Sequence, residues 1–255
     1  MTSVLSLMSP LELGLSLAVV ALAGMVKGMV GFAMPMISIA GMATFLPPEI
    51  ALVGLILPTL VTNVFQAFRQ GVRAAWASIV RFRFFMLAVG VTLVASAQLF
   101  RLLPDNALFL LLGIPVACFT LLMIAGVRFH LRRQRTWLDL TIGGFAGFVG
   151  GVSGVWGPPT VLYLTALDTP KTEHLRIQGV TYGTGAVLLL LAHTGSGVMR
   201  AETAPFSALL VVPALAGMWL GSRLHDRIDQ DTFRRAILVV LLLASLNLVR
   251  RGLMG

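Results

Sequence analysis

Uncharged apolar runs alternate along this chain with short polar breaks. The runs extend from Leu13 to Val26, Gly28 to Pro48, Ile50 to Phe68, Phe84 to Phe100, Asn106 to Val127, Leu140 to Leu167, Ile177 to Met199, Thr203 to Ser222 and Ala236 to Val249. Several match the ~20 residues that carry a helix across a bilayer. The short last run can extend through Phe233 with its flanking arginines reaching back to the interface. Taking the first two runs as one broken element, the pattern predicts an all-α polytopic membrane protein of about eight hydrophobic segments. The polar connections leave no room for a separate soluble domain.

The pattern is also duplicated. Gly24, Gly28, Gly31 and Pro35 recur 123 residues later as Gly147, Gly151, Gly154 and Pro158, and the same offset carries Pro47 onto Pro170. Five Gly/Pro positions in register divide the chain into a first transmembrane repeat over 1–127, a basic connector over 128–136 and a second transmembrane repeat over 137–255. The first segment of each half is broken by the Gly/Pro motif, so it either crosses the membrane or re-enters as a hairpin. Charge weighs the two cases. With eight full crossings, eleven Lys and Arg fall on the connector's side and seven on the other; with two hairpins the split is fourteen to four, leaving only Lys27 inside the membrane. The hairpin plan obeys the positive-inside rule better, and it makes the halves inverted repeats, a recurring transporter plan. It places the segments Arg69 to Arg83, the connector and Arg223 to Arg235 on the cytoplasmic side.

Composition agrees with the pattern. Hydrophobic residues make up 57% of the chain and charged ones 11%, against roughly 45–50% and about 25% in soluble domains. The formal charge of +9 sits in short loops, where membrane anchoring explains it without nucleic acid. The lone Cys118 lies in an apolar run and reads as a buried, inert thiol, which excludes disulfides and cysteine metal sites. No small-residue cleavage site follows a short apolar core, so the first segment is expected to stay in place. No cofactor and no metal is implied.

The two breaks are the candidate site, since Gly- and Pro-interrupted segments at matching places in two halves point to a transporter's binding site. Backbone N–H groups freed at a break are tolerable only where they line protein or a watery cavity. The glycines permit the tight turn, and Pro35, Pro158 and Pro159 open the following arms. Free N–H groups and the positive helix end then favour an anion. Close helix packing is the competing reading of the same glycines. Lys27, beside Gly28, is the one fully charged side chain deep in a run, and pairing an anion is its obvious use; its counterpart is Gly150. Polar residues of the segment after each break, Thr59, Thr62, Asn63 and Gln66, then Gln178, Thr181, Tyr182 and Thr184, can complete the site. The residues expected to hold the substrate are Lys27, Gly28, Gly31, Pro35, Thr62, Asn63, Gly151, Ser153, Gly154, Gly157, Pro158, Thr181 and Tyr182. Asp139 and Asp168 lie near span ends and read as solvated, and His193 reads as structural, so no intramembrane proton relay is evident.

Residues 143 to 164, Gly-Gly-Phe-Ala-Gly-Phe-Val-Gly-Gly-Val-Ser-Gly-Val-Trp-Gly-Pro-Pro-Thr-Val-Leu-Tyr-Leu, resemble the second-repeat signature of the sulfite exporter TauE/SafE family. The run Gly24 to Pro35 is similar to that family's opening motif, with Lys27 and Gly-Met-Val-Gly-Phe-Ala-Met-Pro where many members carry a glycine triplet. The resemblance implies a multi-pass bacterial inner-membrane permease for small anions such as sulfur oxyanions, organosulfonates or carboxylates. A homodimer and a coupling ion, proton or sodium, are compatible with it. The rivals are a rhomboid-like intramembrane serine protease, built on Ser153 of Gly151-Val152-Ser153-Gly154 with His193 or His174 as base, and a passive anion channel. A nucleophile needs its base within hydrogen-bond reach.

Overall fold

The computed structural model describes residues 8–126, 130–131, 133–224 and 230–254, with 101, 171 and 230–236 described as backbone alone. Arg128, Phe129 and Arg132 of the expected connector, and Arg227 further on, lie outside the described residues. Among the described residues there is no strand. The helices are α1 (Pro10–Val30), α2 (Met34–Met42), α3 (Pro48–Phe68), α4 (Val72–Arg81), α5 (Arg83–Ala97), α6 (Asp105–Ile124), α7 (Thr136–Ser153), α8 (Gly157–Ala166), α9 (Lys171–Gly195), α10 (Ala204–Leu224) and α11 (Gln230–Met254).

The repeat is visible in the helix boundaries. Helix α1 ends at Gly31 (φ 85°) and α7 at Gly154 (φ 70°), each donating its N–H to the carbonyl four residues back. Left-handed backbone of this kind suits glycine, which has no Cβ to clash. Pro35 and Pro158 fall in the first turns of the short arms α2 and α8, and Pro47 and Pro170 cap the helices that follow.

Contacts at the bundle ends define two faces. On one, Gln70 bonds the Thr172 carbonyl, Arg81 pairs with Glu173 and the Leu131 N–H meets the Ala166 carbonyl. This is the basic face. On the other, Arg200 pairs with Glu49, and Arg251 donates to the carbonyls of Ala43 and Thr44. Helix α1 runs parallel to α10, with Gly24 against the backbone of Ala214 and Gly28 against that of Met218, so both start at the opposite face. Helix α2 then turns back toward the face from which α1 set out, bringing Gly41 near its end beside Val19 in the middle of α1. The second hairpin is inverted. Helix α7 runs parallel to α5, with Gly143, Gly147 and Gly151 against the backbones of Phe85, Val89 and Leu93, and enters from the basic face. Helix α8 returns there, where the Tyr163 hydroxyl donates to Asp139 at 2.7 Å.

Three crossings follow each hairpin: α3, α5 and α6, then α9, α10 and α11. Among the described residues, seven helices are long and apolar enough to span a membrane by length and composition, namely these six, with α5 running on to Phe100, and α1. Helix α1 thus has the reach of a span although its hairpin returns to the face it came from. The broadest packing joins the halves to each other: α5 with α7, α1 with α10, α6 with α11 and α3 with α9.

Close approach of these helices explains the glycines. A Cβ at Gly24, Gly28, Gly147 or Gly151 would collide with a carbonyl of the neighbouring helix, the small-residue packing that lets membrane helices meet backbone to backbone. The substrate role expected for Gly28 and Gly151 is therefore replaced by helix packing at their open faces. Two further expectations are corrected. Part of the connection between Arg69 and Arg83 is helix α4, which exposes Val72, Trp76 and Val80 at spacings of four on one side. Cys118, expected to be buried, faces outward from α6.

Candidate functional site

Lys27 lies one turn before the first break and is only 3% exposed. Its Nζ donates to Thr62 Oγ1 at 3.1 Å and to Asn63 Oδ1. Local geometry presents both partners. Pro58 cannot donate within α3, and beside it the Ser207 hydroxyl of α10 inserts between Leu57 and Val53, accepting from the Leu57 N–H at 3.1 Å and donating to the Val53 carbonyl at 2.6 Å. A proline together with an inserted hydroxyl is an ordinary cause of a bent helix. One turn on, Thr62 donates to the Pro58 carbonyl at 2.7 Å, which leaves its oxygen free to accept from Lys27. No carboxylate joins this cluster among the described residues. Buried ammonium groups ordinarily have a counter-charge.

Both breaks meet helix α9, on the face formed by Gln178, Thr181, Tyr182 and Gly185. Gly31 lies beside Leu175 and Gln178, Gly157 accepts from the Tyr182 hydroxyl at 2.9 Å through its carbonyl, and Trp156 packs on Gly185. The offset of seven positions from Gln178 to Gly185 separates the two breaks by about 10 Å along the helix. Helix α3 runs antiparallel beside α9, with Asn63 opposite Gly183 and Gln66 bonded to the Leu175 carbonyl at 3.0 Å. Thr59 Oγ1, Asn63 Nδ2, Trp156 Nε1, Gln178 Oε1 and Thr181 Oγ1 are buried here without a hydrogen-bond partner in the protein. Such atoms are rare in folded proteins, and a cluster of them calls for an explanation. Asn63 is oriented by Lys27, because an ammonium can only donate and so takes the amide oxygen; its Nδ2 is left as a free donor.

The residues expected at the substrate thus separate. Lys27, Thr62, Asn63 and Gly31 come together at one break; Gly154, Gly157, Pro158 and Tyr182 come together at the other; Thr181 lies between them. Pro35 opens α2, whose start has no side-chain cap, and the residue before that helix, Ala33, holds a left-handed φ of 75°. A non-glycine residue there carries strain of ~1–2 kcal/mol. At the second break the paired prolines Pro158 and Pro159 remove two N–H donors, so the free backbone donors expected there reduce to that of Gly157 in the first turn. Ser153 is occupied locally, donating to the Val149 carbonyl at 2.7 Å and accepting from the Val155 N–H at 3.2 Å. Thr184 faces outward.

His193 keeps the structural place expected of it, while two other side chains depart from the sequence reading. His193 Nε2 meets the Gly151 carbonyl at 3.1 Å, and no hydrogen bond joins it to Ser153, so the protease arrangement is not assembled. Asp139, read as solvated, is 3% exposed and clasps the base of the second hairpin, accepting from Tyr163 and, at 2.9 Å, from Gln134 Nε2. Trp156 does not stand out in the sequence, because an aromatic in an apolar run ordinarily reads as core packing. Its position inside the second break was the available signal.

Two hairpins inserted from opposite faces, each followed by three crossings and enclosing a buried lysine, define a multi-pass membrane transporter. The sequence model of the sulfite exporter TauE/SafE family matches residues 16–248, and the chain belongs to that family. No curated protein and no solved structure matches it.

Proposed function

We propose that this protein moves small oxyanions, namely sulfur oxyanions, organosulfonates or small carboxylates, across the bacterial inner membrane, with the basic face and its connector in the cytoplasm. The observation that carries this reading is Lys27: a buried ammonium with hydrogen-bond partners but no carboxylate beside it among the described residues. An oxyanion between the breaks supplies the missing charge. Asn63 Nδ2, Trp156 Nε1 and the hydroxyls of Thr59 and Thr181 are unpaired donors on the surrounding walls. Hydrogen bonds to a charged partner are the strong ones. The inverted hairpins support alternating access, because two equivalent arms hold the cargo from opposite faces.

The test is a screen in proteoliposomes with radiolabelled sulfite, thiosulfate, sulfate, sulfonates and small carboxylates. Saturable uptake of at least one of these, with counter-transport of cargo preloaded inside, is expected of a carrier. A passive channel would conduct without counter-transport. Uptake of cations or neutral solutes in place of all of these anions would defeat the reading.

A further inference from the structure

Two exposed ion pairs stand at the opposite mouths of the bundle in related places. At the basic face, Arg81 Nη1 meets Glu173 Oε1 at 2.5 Å; at the other, Arg200 Nη2 meets Glu49 Oε1 at 3.0 Å. Glu173 lies in the first turn of α9 and Glu49 in the first turn of α3, and the repeat offset carries Glu49 onto Thr172, next to Glu173. Arg81 lies directly ahead of α5 and Arg200 just ahead of α10, the two helices that hold the first arms of the opposing hairpins. Each pair therefore joins one half of the chain to the other. The two occupy related places under the inverted repeat without matching residue for residue, since the offset carries Arg81 onto Ala204, four residues past Arg200.

We propose that Arg81 and Arg200 are mouth sites for the transported oxyanion, each closed by a glutamate that the anion displaces. This rests on the reading of the chain as an oxyanion carrier. Exposed pairs contribute little to stability, and the arginines are 47% and 48% exposed, so their use is better sought in exchange of partners. A guanidinium binds sulfite, sulfonate or carboxylate with the same two-point geometry it offers a glutamate. The space is there on the basic face. Arg81 borders a cleft of about 580 Å³ with Arg83, Gln134, Thr136 and Asp139, at the open end of the second hairpin. Glu173 and Glu49 lie on the helices whose polar faces line the centre, so release of either carboxylate frees the outer end of a helix that touches the cargo. Both pairs are closed in this structure, and Lys27 is sealed from both faces.

Sided uptake tests this in right-side-out and inside-out membrane vesicles, with radiolabelled sulfite or, if sulfite is not moved, the fastest anion of the screen. Glu173→Gln removes the competing carboxylate, so KM for anion offered at the basic face should fall about two- to fivefold, the range an exposed pair supports, with KM at the other face unchanged. Glu49→Gln should give the mirror result. Arg81→Gln should raise KM at the basic face alone, and Glu173→Asp, which keeps the charge on a shorter stem, should fall between wild type and Glu173→Gln. A merely structural pair would shift both faces together or change only the maximal rate, and either outcome overturns the proposal. Unshifted KM values while Lys27→Met still weakens uptake would remove the mouth sites alone. A wild type that moves none of the anions would remove the carrier reading and the mouth sites with it.

Discussion

Lys27→Met is the sharpest test of the central site. Methionine keeps the unbranched stem and fits the apolar surroundings of the first hairpin, so the substitution deletes the charge with little change of volume. Two effects on stability then oppose each other. Asn63 Oδ1 loses its donor, at a cost of ~1–3 kcal/mol for a buried acceptor left unpaired, while the desolvation of a buried ammonium, several kcal/mol in its own right, disappears. Thr62 stays satisfied through the Pro58 carbonyl. The melting temperature should therefore move little or rise. Binding is different, because an anion loses a charge-assisted hydrogen bond worth ~1.5–3 kcal/mol. At about 1.4 kcal/mol per factor of ten, Kd should rise about ten- to a hundredfold. Lys27→Arg should lose less, since it keeps the charge but exchanges a compact ammonium for a planar fork. Equilibrium binding of the radiolabelled anion to purified protein, with melting curves in parallel, measures both. An unchanged Kd in folded Lys27→Met would retire Lys27 as the anion's partner.

Two further outcomes follow from the fold and the second break. Single cysteines placed in the segments 69–83, 133–136 and 223–224 of a Cys118→Ala background should all be protected from an impermeant thiol reagent added outside intact cells, and labelling of the last from outside would break the inverted plan. A Cβ at Gly150 would approach Trp156 Cβ to 2.9 Å and its Cε3 to 3.0 Å, so Gly150→Ala should cost ~1–3 kcal/mol by overpacking, and the cost should shrink in a Trp156→Gly background, which removes both atoms; a coupling below ~0.5 kcal/mol in the melting cycle would show that the two do not compete for space.

Much of the fold was legible because it rests on long-period signals. The 123-residue offset located both breaks, and Gly31 and Gly154 carry the positive φ that their register predicts. The arginine count favoured hairpins, and Gln70, Arg81 and Glu173 do gather at one end. What stayed hidden depends on tertiary contact. Gly24-x-x-x-Gly28 has the same spacing whether it bares backbone to a ligand or to a helix; only the approach of Ala214 and Met218 decides for the helix. Asp139 reads as solvated because the Tyr163 that buries it lies 24 residues away on the returning arm. Helix α4 was missed because its arginines interrupt the uncharged runs that the reading followed, although Val72, Trp76 and Val80 already trace an amphipathic stripe.

The duplicated scaffold holds an unduplicated charge, and the packing shows how. Under the repeat, Lys27 corresponds to Gly150 and Ala33 to Trp156. In the first hairpin the long side chain precedes the break and the small one lies within it; in the second the order is reversed. The Trp156 ring covers the space into which any side chain at position 150 would grow, so a second lysine has no room without loss of the indole. One ammonium has a physical advantage over two for a carrier. Each added cation would deepen the hold on an anion by a further charge-assisted hydrogen bond of ~1.5–3 kcal/mol, and transport needs a cargo that leaves as readily as it enters. A single lysine neutralises a monoanion and leaves a dianion with one net negative charge. Unpaired neutral donors such as Trp156 Nε1 and Asn63 Nδ2 then supply orientation without adding to that hold. On the proposed reading of the site, the departure from symmetry separates recognition from release, with the charge at one break and neutral donors extending to the other.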